Sequence, residues 1–180
     1  RSFLGLLVRG PGWTIERAIE CAATNGVPCV EIRGLENQLD LLALPCFSDA
    51  ASVQRIRLRL DAQRVSILAF GLSHRLWDYS PAQDDELHRI ADLADRLGVR
   101  YLRFFPGGKL ESQADLERLA AHANAIWRLI ESHAVRPVVE THDSLVQVRD
   151  VLALQQTMGR DLDVLWDVVN TLTQGGEVWQ

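Results

Sequence analysis

Short apolar runs alternate along the chain with longer stretches in which apolar residues recur every three or four positions. The runs are Phe3–Val8, Pro28–Ile32, Val65–Phe70, Val99–Phe105, Pro137–Glu140 and Leu162–Asp167. They are rich in Val, Ile, Leu and Phe and do not alternate with polar residues, the pattern of strands covered on both faces. The stretches between them read as amphipathic helices. Thr14 caps an apolar stripe of Ile15, Ala18, Ile19, Ala22 and Ala23 that Asn25-Gly26 ends. Ser48 or Asp49 opens a second helix with Val53, Ile56 and Leu60 inward. Ser80-Pro81-Ala82-Gln83 is a capping box with proline at the first helical position, and Gly98 stops the helix it starts. A fourth helix runs from about Ser112 to Ile130. Ser144-Leu145-Val146-Gln147 reads as a second capping box, and Gly159 closes its helix.

The order is therefore βα five times and then a sixth strand, which demands a parallel sheet with helices outside. An open doubly wound sheet could stop at six strands. A closed (βα)8 TIM barrel needs about 250 residues and two further units. On the barrel reading, residues 1–180 form a single domain holding about six of the eight βα units, incomplete at the C-terminus, with an N-terminus that is cut or processed.

Composition narrows the class without deciding it. The 180 residues are 47% hydrophobic and 24% charged, with a formal charge of -5. That excludes a disordered chain and argues against a nucleic-acid partner. No apolar run reaches the length of a membrane span, and no secretory leader precedes the first strand. Cys21, Cys29 and Cys46 are odd in number and show no metal-site spacing, so they read as reduced thiols of a cytoplasmic protein.

Parallel α/β folds place their chemistry at the C-terminal strand ends. The residues there are polar: Arg9, Pro11, Gly12 and Trp13 after the first strand, Glu31 and Arg33 on the second, and Ser73 and His74 beyond the third. Arg103 and Pro106-Gly107-Gly108-Lys109 close the fourth, Glu140-Thr141-His142-Asp143 the fifth, and Asp167 with Asn170 the sixth. Glu140 follows Pro137-Val138-Val139 directly, so its carboxylate leaves a buried strand, where it must be paired, protonated or metal-bound. The period of two puts His142 on the same face, and Asp167 stands at the corresponding end of the next strand, so Glu140 and Asp167 could hold one divalent cation. Oxygen ligands suit Mg²⁺ or Mn²⁺, and a histidine extends the choice to Co²⁺ or Zn²⁺. Plainer roles stand beside these. Glu140 could be an ion-pair partner of Arg103, Asp167 a helix cap, and Glu31 with Arg33 a strand-end pair. The glycines at 107–108 could cradle a phosphate or form a simple loop. His88, His122 and His133 fall on expected helices and read as solvated. Trp77, Trp127 and Trp166 read as core. No glycine-rich nucleotide motif is present.

Taken in order, Val30-Glu31-Ile32-Arg33, Leu97-Gly98-Val99-Arg100-Tyr101-Leu102-Arg103, Val139-Glu140-Thr141-His142 and Trp166-Asp167-Val168-Val169-Asn170 resemble the xylose-isomerase-like TIM-barrel superfamily, in particular its sugar phosphate isomerase/epimerase branch. The resemblance implies a metal-dependent isomerase or epimerase acting on a small sugar or sugar phosphate. Its chemistry is proton abstraction next to a carbonyl through a metal-stabilised enediolate. It gives Glu140 and Asp167 as metal ligands and Glu140 as the catalytic base. His142, Asn170, Arg103, Glu31 and His74 become substrate-binding residues. A histidine on the seventh strand and a glutamate on the eighth, which complete the family's metal site, have no counterpart in this sequence, and Asn170 stands where a substrate-contacting histidine is common. Two alternatives follow from those departures: a truncated barrel serving as a binding domain, or a phosphodiesterase of the endonuclease IV type, which needs several zinc ions. Open edges at the first and sixth strands lead us to expect a further C-terminal segment or a homodimer.

Overall fold

The computed structural model describes residues 5–8 and 12–174, with side chains at Val8 and from Gly12 on. The expectations placed on Phe3, Arg9 and Pro11 lie outside the described residues. The elements are β1 (Gly5–Val8), α1 (Ile15–Thr24), β2 (Cys29–Ile32), α2 (Ala50–Gln63), β3 (Ser66–Arg75), α3 (Asp84–Leu97), β4 (Tyr101–Phe105), α4 (Gln113–Leu129), β5 (Arg136–Glu140), α5 (Val148–Met158), β6 (Val164–Leu165) and α6 (Val168–Thr173).

The strands lie in one sheet in the order β1-β2-β3-β4-β5-β6. Gly5 to Val8 run parallel to Cys29 to Ile32, and these run parallel to β3 with a register shift between Val30 and Glu31. Val139 and Glu140 stand beside Val164 and Leu165, again parallel. A doubly wound sheet reverses its strand order at a switch point. No reversal occurs here, so the sequential order is that of a TIM barrel, of which these 180 residues carry six βα units.

Local chemistry accounts for most element boundaries. Thr14, Asp49 and Ser112 each accept a backbone N–H three residues on, from Arg17, Ser52 and Asp115. The Ser80–Gln83 box forms, but around a 3-10 turn (Pro81–Gln83) that leads into α3. The box at Ser144 does not form. Ser144 Oγ instead donates to the Gly107 carbonyl at 2.7 Å, a 3-10 turn occupies Asp143–Leu145, and α5 starts later without a side-chain cap.

By contact density the chain divides into two compact units. The first comprises Arg1–Leu72, Glu86–Leu102 and Ser132–Arg136, and the second Ser73–Asp85, Arg103–Glu131 and Pro137–Gln180. In the first unit Ile15, Ile19, Val30, Ile32, Ile56 and Phe70 are buried. His133 belongs here and is neither helical nor solvated. Its Nδ1 lies 2.9 Å from Asp95 Oδ2, while Asp95 Oδ1 accepts the N–H groups of Ala134 and Val135. In the second unit Phe104 of β4 packs on Trp127 of α4 with ring centroids 6.2 Å apart. Leu119, Ala123, Leu145 and Leu154 are buried there too. Trp127 is core as expected, whereas Trp166 is 42% exposed. Trp77 is half-buried and takes the Arg118 guanidinium over its ring at 4.5 Å.

Candidate active site

All the close geometry of the candidate site falls within the second unit. The phase of β4 sets it up. Phe104 points to the helix layer, so its neighbours Arg103 and Phe105 take the opposite face. Arg103 is buried there, and its Nε lies 3.0 Å from Glu140 Oε2, with side chains 3% and 10% exposed. The contact fixes the phase of β5: Glu140 shares the face of Arg103, as do Val138 and His142 by alternation. Burying two charges is costly, and the contact between them offsets part of that cost. The ion-pair role open to Glu140 is thus realised.

The same face carries an aromatic link. The Arg103 guanidinium carbon is 4.2 Å from the Phe105 ring centre. Phe105 in turn meets the His142 ring edge-on, with centroids 4.9 Å apart. His142 Nδ1 stands 2.8 Å from Asp143 Oδ1. Asp143 Oδ2 accepts the Gly107 N–H at 3.2 Å. The Gly107 amide, a candidate for cradling a phosphate, is therefore already engaged by a carboxylate of the chain itself.

Asp167 and Asn170 form a second cluster. Asp167 caps α6: Oδ1 accepts the Asn170 backbone N–H and Oδ2 the Asn170 side-chain amide, each at 2.9 Å. Its own N–H donates to Thr141 Oγ1 at 2.7 Å, which ties the cluster to β5 between Glu140 and His142. Register places Glu140 beside Leu165, the last residue of β6, and Asp167 follows two residues beyond it. Each carboxylate oxygen carries two lone pairs, so the cap does not exhaust Asp167. Glu140 and Asp167 could each supply part of a ligand set for a hard cation. Among the described residues, no group of three or more His, Cys, Asp or Glu side chains comes together as a complete one.

The other expected residues are placed as follows. Glu31 is half-buried on β2, in register with Leu7 and Ala69, and belongs to the first unit. Arg33, also in that unit, reaches the Gly71 carbonyl at 3.5 Å. His74 is half-buried near the end of β3. Sequence reasoning assigned no role to Phe105, Thr141 or Asp143. The one signal for Asp143 was an acid directly after the strand-end histidine. Cys21, Cys29 and Cys46 are not joined in disulfides, and burial pushes the Cys46 thiol up to about 12, with Glu16 and Glu36 adding to the effect. Among the described residues no helix is long and apolar enough to cross a membrane.

No curated protein matches the chain. Three solved structures show the likeness of the fold. The probable 3-DHS dehydratase AsbF from Bacillus anthracis superposes with a TM-score of 0.81 at 16% identity, over 97% of this chain and 66% of that one. The IolI protein, solved with a bound zinc atom, gives 0.74 at 13% identity, over 98% and 66%. D-psicose 3-epimerase gives 0.72 at 12%, over 94% and 65%. The chain thus spans about two thirds of the length of these structures. The family model of the xylose isomerase-like TIM barrel matches residues 19–180, and the protein belongs to that family.

Proposed function

We propose that the protein acts in a divalent-metal-dependent isomerase or epimerase of a small sugar or related hydroxy-carbonyl compound. One observation carries the reading: a carboxylate, Glu140, held at the end of a buried strand by a buried guanidinium at 3.0 Å. Such a group is costly to keep and is oriented to one position, which is what a base at a reacting carbon requires. Glu140 takes the proton from the carbon next to the carbonyl, and the electron pair passes to the carbonyl oxygen as an enediolate. Return of a proton to the neighbouring carbon gives the isomer. Delivery of a proton to the opposite face of the same carbon by a second acid gives the epimer. Glu140 and Asp167 would hold the metal (Mn²⁺, Mg²⁺, Co²⁺ or Zn²⁺), which supplies Lewis-acid polarisation of the carbonyl. Arg103 orients the base, and His142 and Asn170 bind substrate hydroxyls, with His74 as an outer contact. Likeness to D-psicose 3-epimerase, to the probable 3-DHS dehydratase and to the zinc-bound IolI protein supports this reading.

The test is deuterium uptake from D2O into a panel of ketoses and aldoses, followed by proton NMR with each metal and with a chelator. Metal-dependent exchange at the carbon beside the carbonyl is expected, and Glu140→Gln should lower it about 10² to 10⁴-fold. Exchange that persists in Glu140→Gln, or none with any hydroxy-carbonyl, would overturn the reading.

A further inference from the structure

His142 and Asp143 meet in a way that constrains where one proton can be. His142 Nδ1 is shielded from solvent, and among the described residues it has no aligned hydrogen bond. The polar atom facing it is Asp143 Oδ1 at 2.8 Å, somewhat off the line of the ring N–H. A carboxylate only accepts. A bare Nδ1 lone pair at that distance would face an oxygen lone pair, a repulsive arrangement out of reach of water. A proton on Nδ1 replaces that repulsion with attraction to the carboxylate.

The surroundings hold Asp143 in place for this. Its φ is +44°, a conformation non-glycine residues rarely adopt. Its second oxygen accepts the Gly107 N–H, and the next residue, Ser144, donates to the Gly107 carbonyl. Strained backbone persists where its surroundings fix it, and here two hydrogen bonds to one glycine do so. Phe105 meets the imidazole edge-on at 4.9 Å and limits its rotation.

We infer that Asp143 is a positioning residue that holds His142 as the Nδ1–H tautomer, leaving Nε2 as a hydrogen-bond acceptor for a substrate hydroxyl and not a donor to a phosphate. The consequence for substrate class rests on the proposed function, since it concerns what the site binds; the tautomer does not. A neutral imidazole with Nε2 unprotonated accepts from O–H, whereas the dianion of a phosphate monoester offers acceptors alone. The glycine turn adds to this selection. The Gly107 N–H is taken by a carboxylate, and the Cβ position of Gly108 is filled by the Trp77 ring, whose Cδ2 would stand 2.0 Å away. The substrate portion at His142 is therefore an uncharged polyhydroxy group.

The experiment is nitrogen-15 NMR of histidine-labelled protein at about pH 9, above the ordinary imidazole range, with the His142 signals assigned by their loss in His142→Gln. The Nδ1–H tautomer is expected at His142. In Asp143→Asn, which tolerates a positive φ and still accepts the Gly107 N–H, the tautomer should revert to the Nε2–H form usual in free imidazoles. Asp143→Gly, better suited to that φ, should do the same if the asparagine variant folds poorly. Wild-type His142 carrying its proton on Nε2, or an unchanged tautomer in both variants, overturns the inference. Titration with an unphosphorylated ketohexose should then move the Nε2 signal of the wild type, while phenyl phosphate, a dianion without a donor at that pH, should not. A signal that answers to phenyl phosphate and not to the ketohexose overturns the hydroxyl assignment. An Nδ1–H tautomer with no response to either compound leaves the positioning role intact and counts against the proposed function.

Discussion

Arg103→Met removes the cation from a pair almost wholly out of water. Glu140 would then face a shorter, uncharged thioether, with 10% of its side chain exposed and its 3.0 Å partner gone. Breaking a buried pair from one side costs about 3–5 kcal/mol, because the remaining charge is left uncompensated. The guanidinium also lies 4.2 Å from the Phe105 ring centre. That loss adds about 1 kcal/mol, partly returned by sulfur–aromatic contact. With a urea m-value of about 2–3 kcal/mol/M, the midpoint should fall by about 1–3 M. The companion variant Arg103→Met/Glu140→Met removes both charges and should recover most of the loss, since apolar replacement of a whole buried pair is often neutral. Equilibrium urea unfolding followed by tryptophan fluorescence and far-UV circular dichroism measures both. A loss of about 1 kcal/mol or less in the single variant, the value of a solvated surface pair, would refute the reasoning. So would a double variant as unstable as the single one.

Two further outcomes are expected. Gly108→Ala places a Cβ at φ +59° and into the Trp77 ring; the conformation costs about 1–2 kcal/mol and the overlap about 1–3 more. Gly26→Ala, at φ +65° with nothing within 4 Å, bears the first cost alone, so urea midpoints that fall equally in the two variants would count against the Trp77 packing. The Asp49 carboxyl is held below its ordinary range chiefly by the Ser52 hydroxyl and then by the Ser52 N–H. A depressed folded-state pKa gives stability that is complete above the unfolded value and lost as pH falls through the folded one, so between about pH 6 and pH 3 the wild-type midpoint should drop further than that of Asp49→Asn.

The sheet order and most helix starts were legible because they rest on local chemistry. Thr14, Asp49 and Ser112 cap their helices through residues three positions away, a relation any reader of the sequence can see. Ser144 carried the same signature and misled, because a carbonyl 37 residues away in sequence competes for its hydroxyl. The expected strand Leu162–Asp167 shrinks to Val164–Leu165 because Asp167 is drawn off to cap α6. The third strand runs on past Phe70 to Arg75, through Gly71 where the apolar run had ended. At the site, Glu140 and Arg103 were readable as polar residues ending buried strands. Their meeting was one option among several, since strand phase is set by contacts such as Phe104 on Trp127. Asp143 was hidden by its backbone, because no local pattern announces that an aspartate will adopt φ +44° and turn back to its neighbour.

The sequential order of the strands bears on how the protein is made. Strands begin at Gly5, Cys29, Ser66, Tyr101, Arg136 and Val164, about 30 residues apart, and each pairs with the one synthesised just before it. A ribosome extending the chain at about 5–20 residues per second needs about 2–6 seconds per unit. Collapse of a short segment takes microseconds. Each emerging βα unit therefore finds its docking edge already displayed and has ample time to settle there. Growth proceeds by accretion onto a standing template, and each strand after the first has a neighbour to pair with as it emerges. The edge that each of β1 to β5 presents on that side is covered by the strand that follows it.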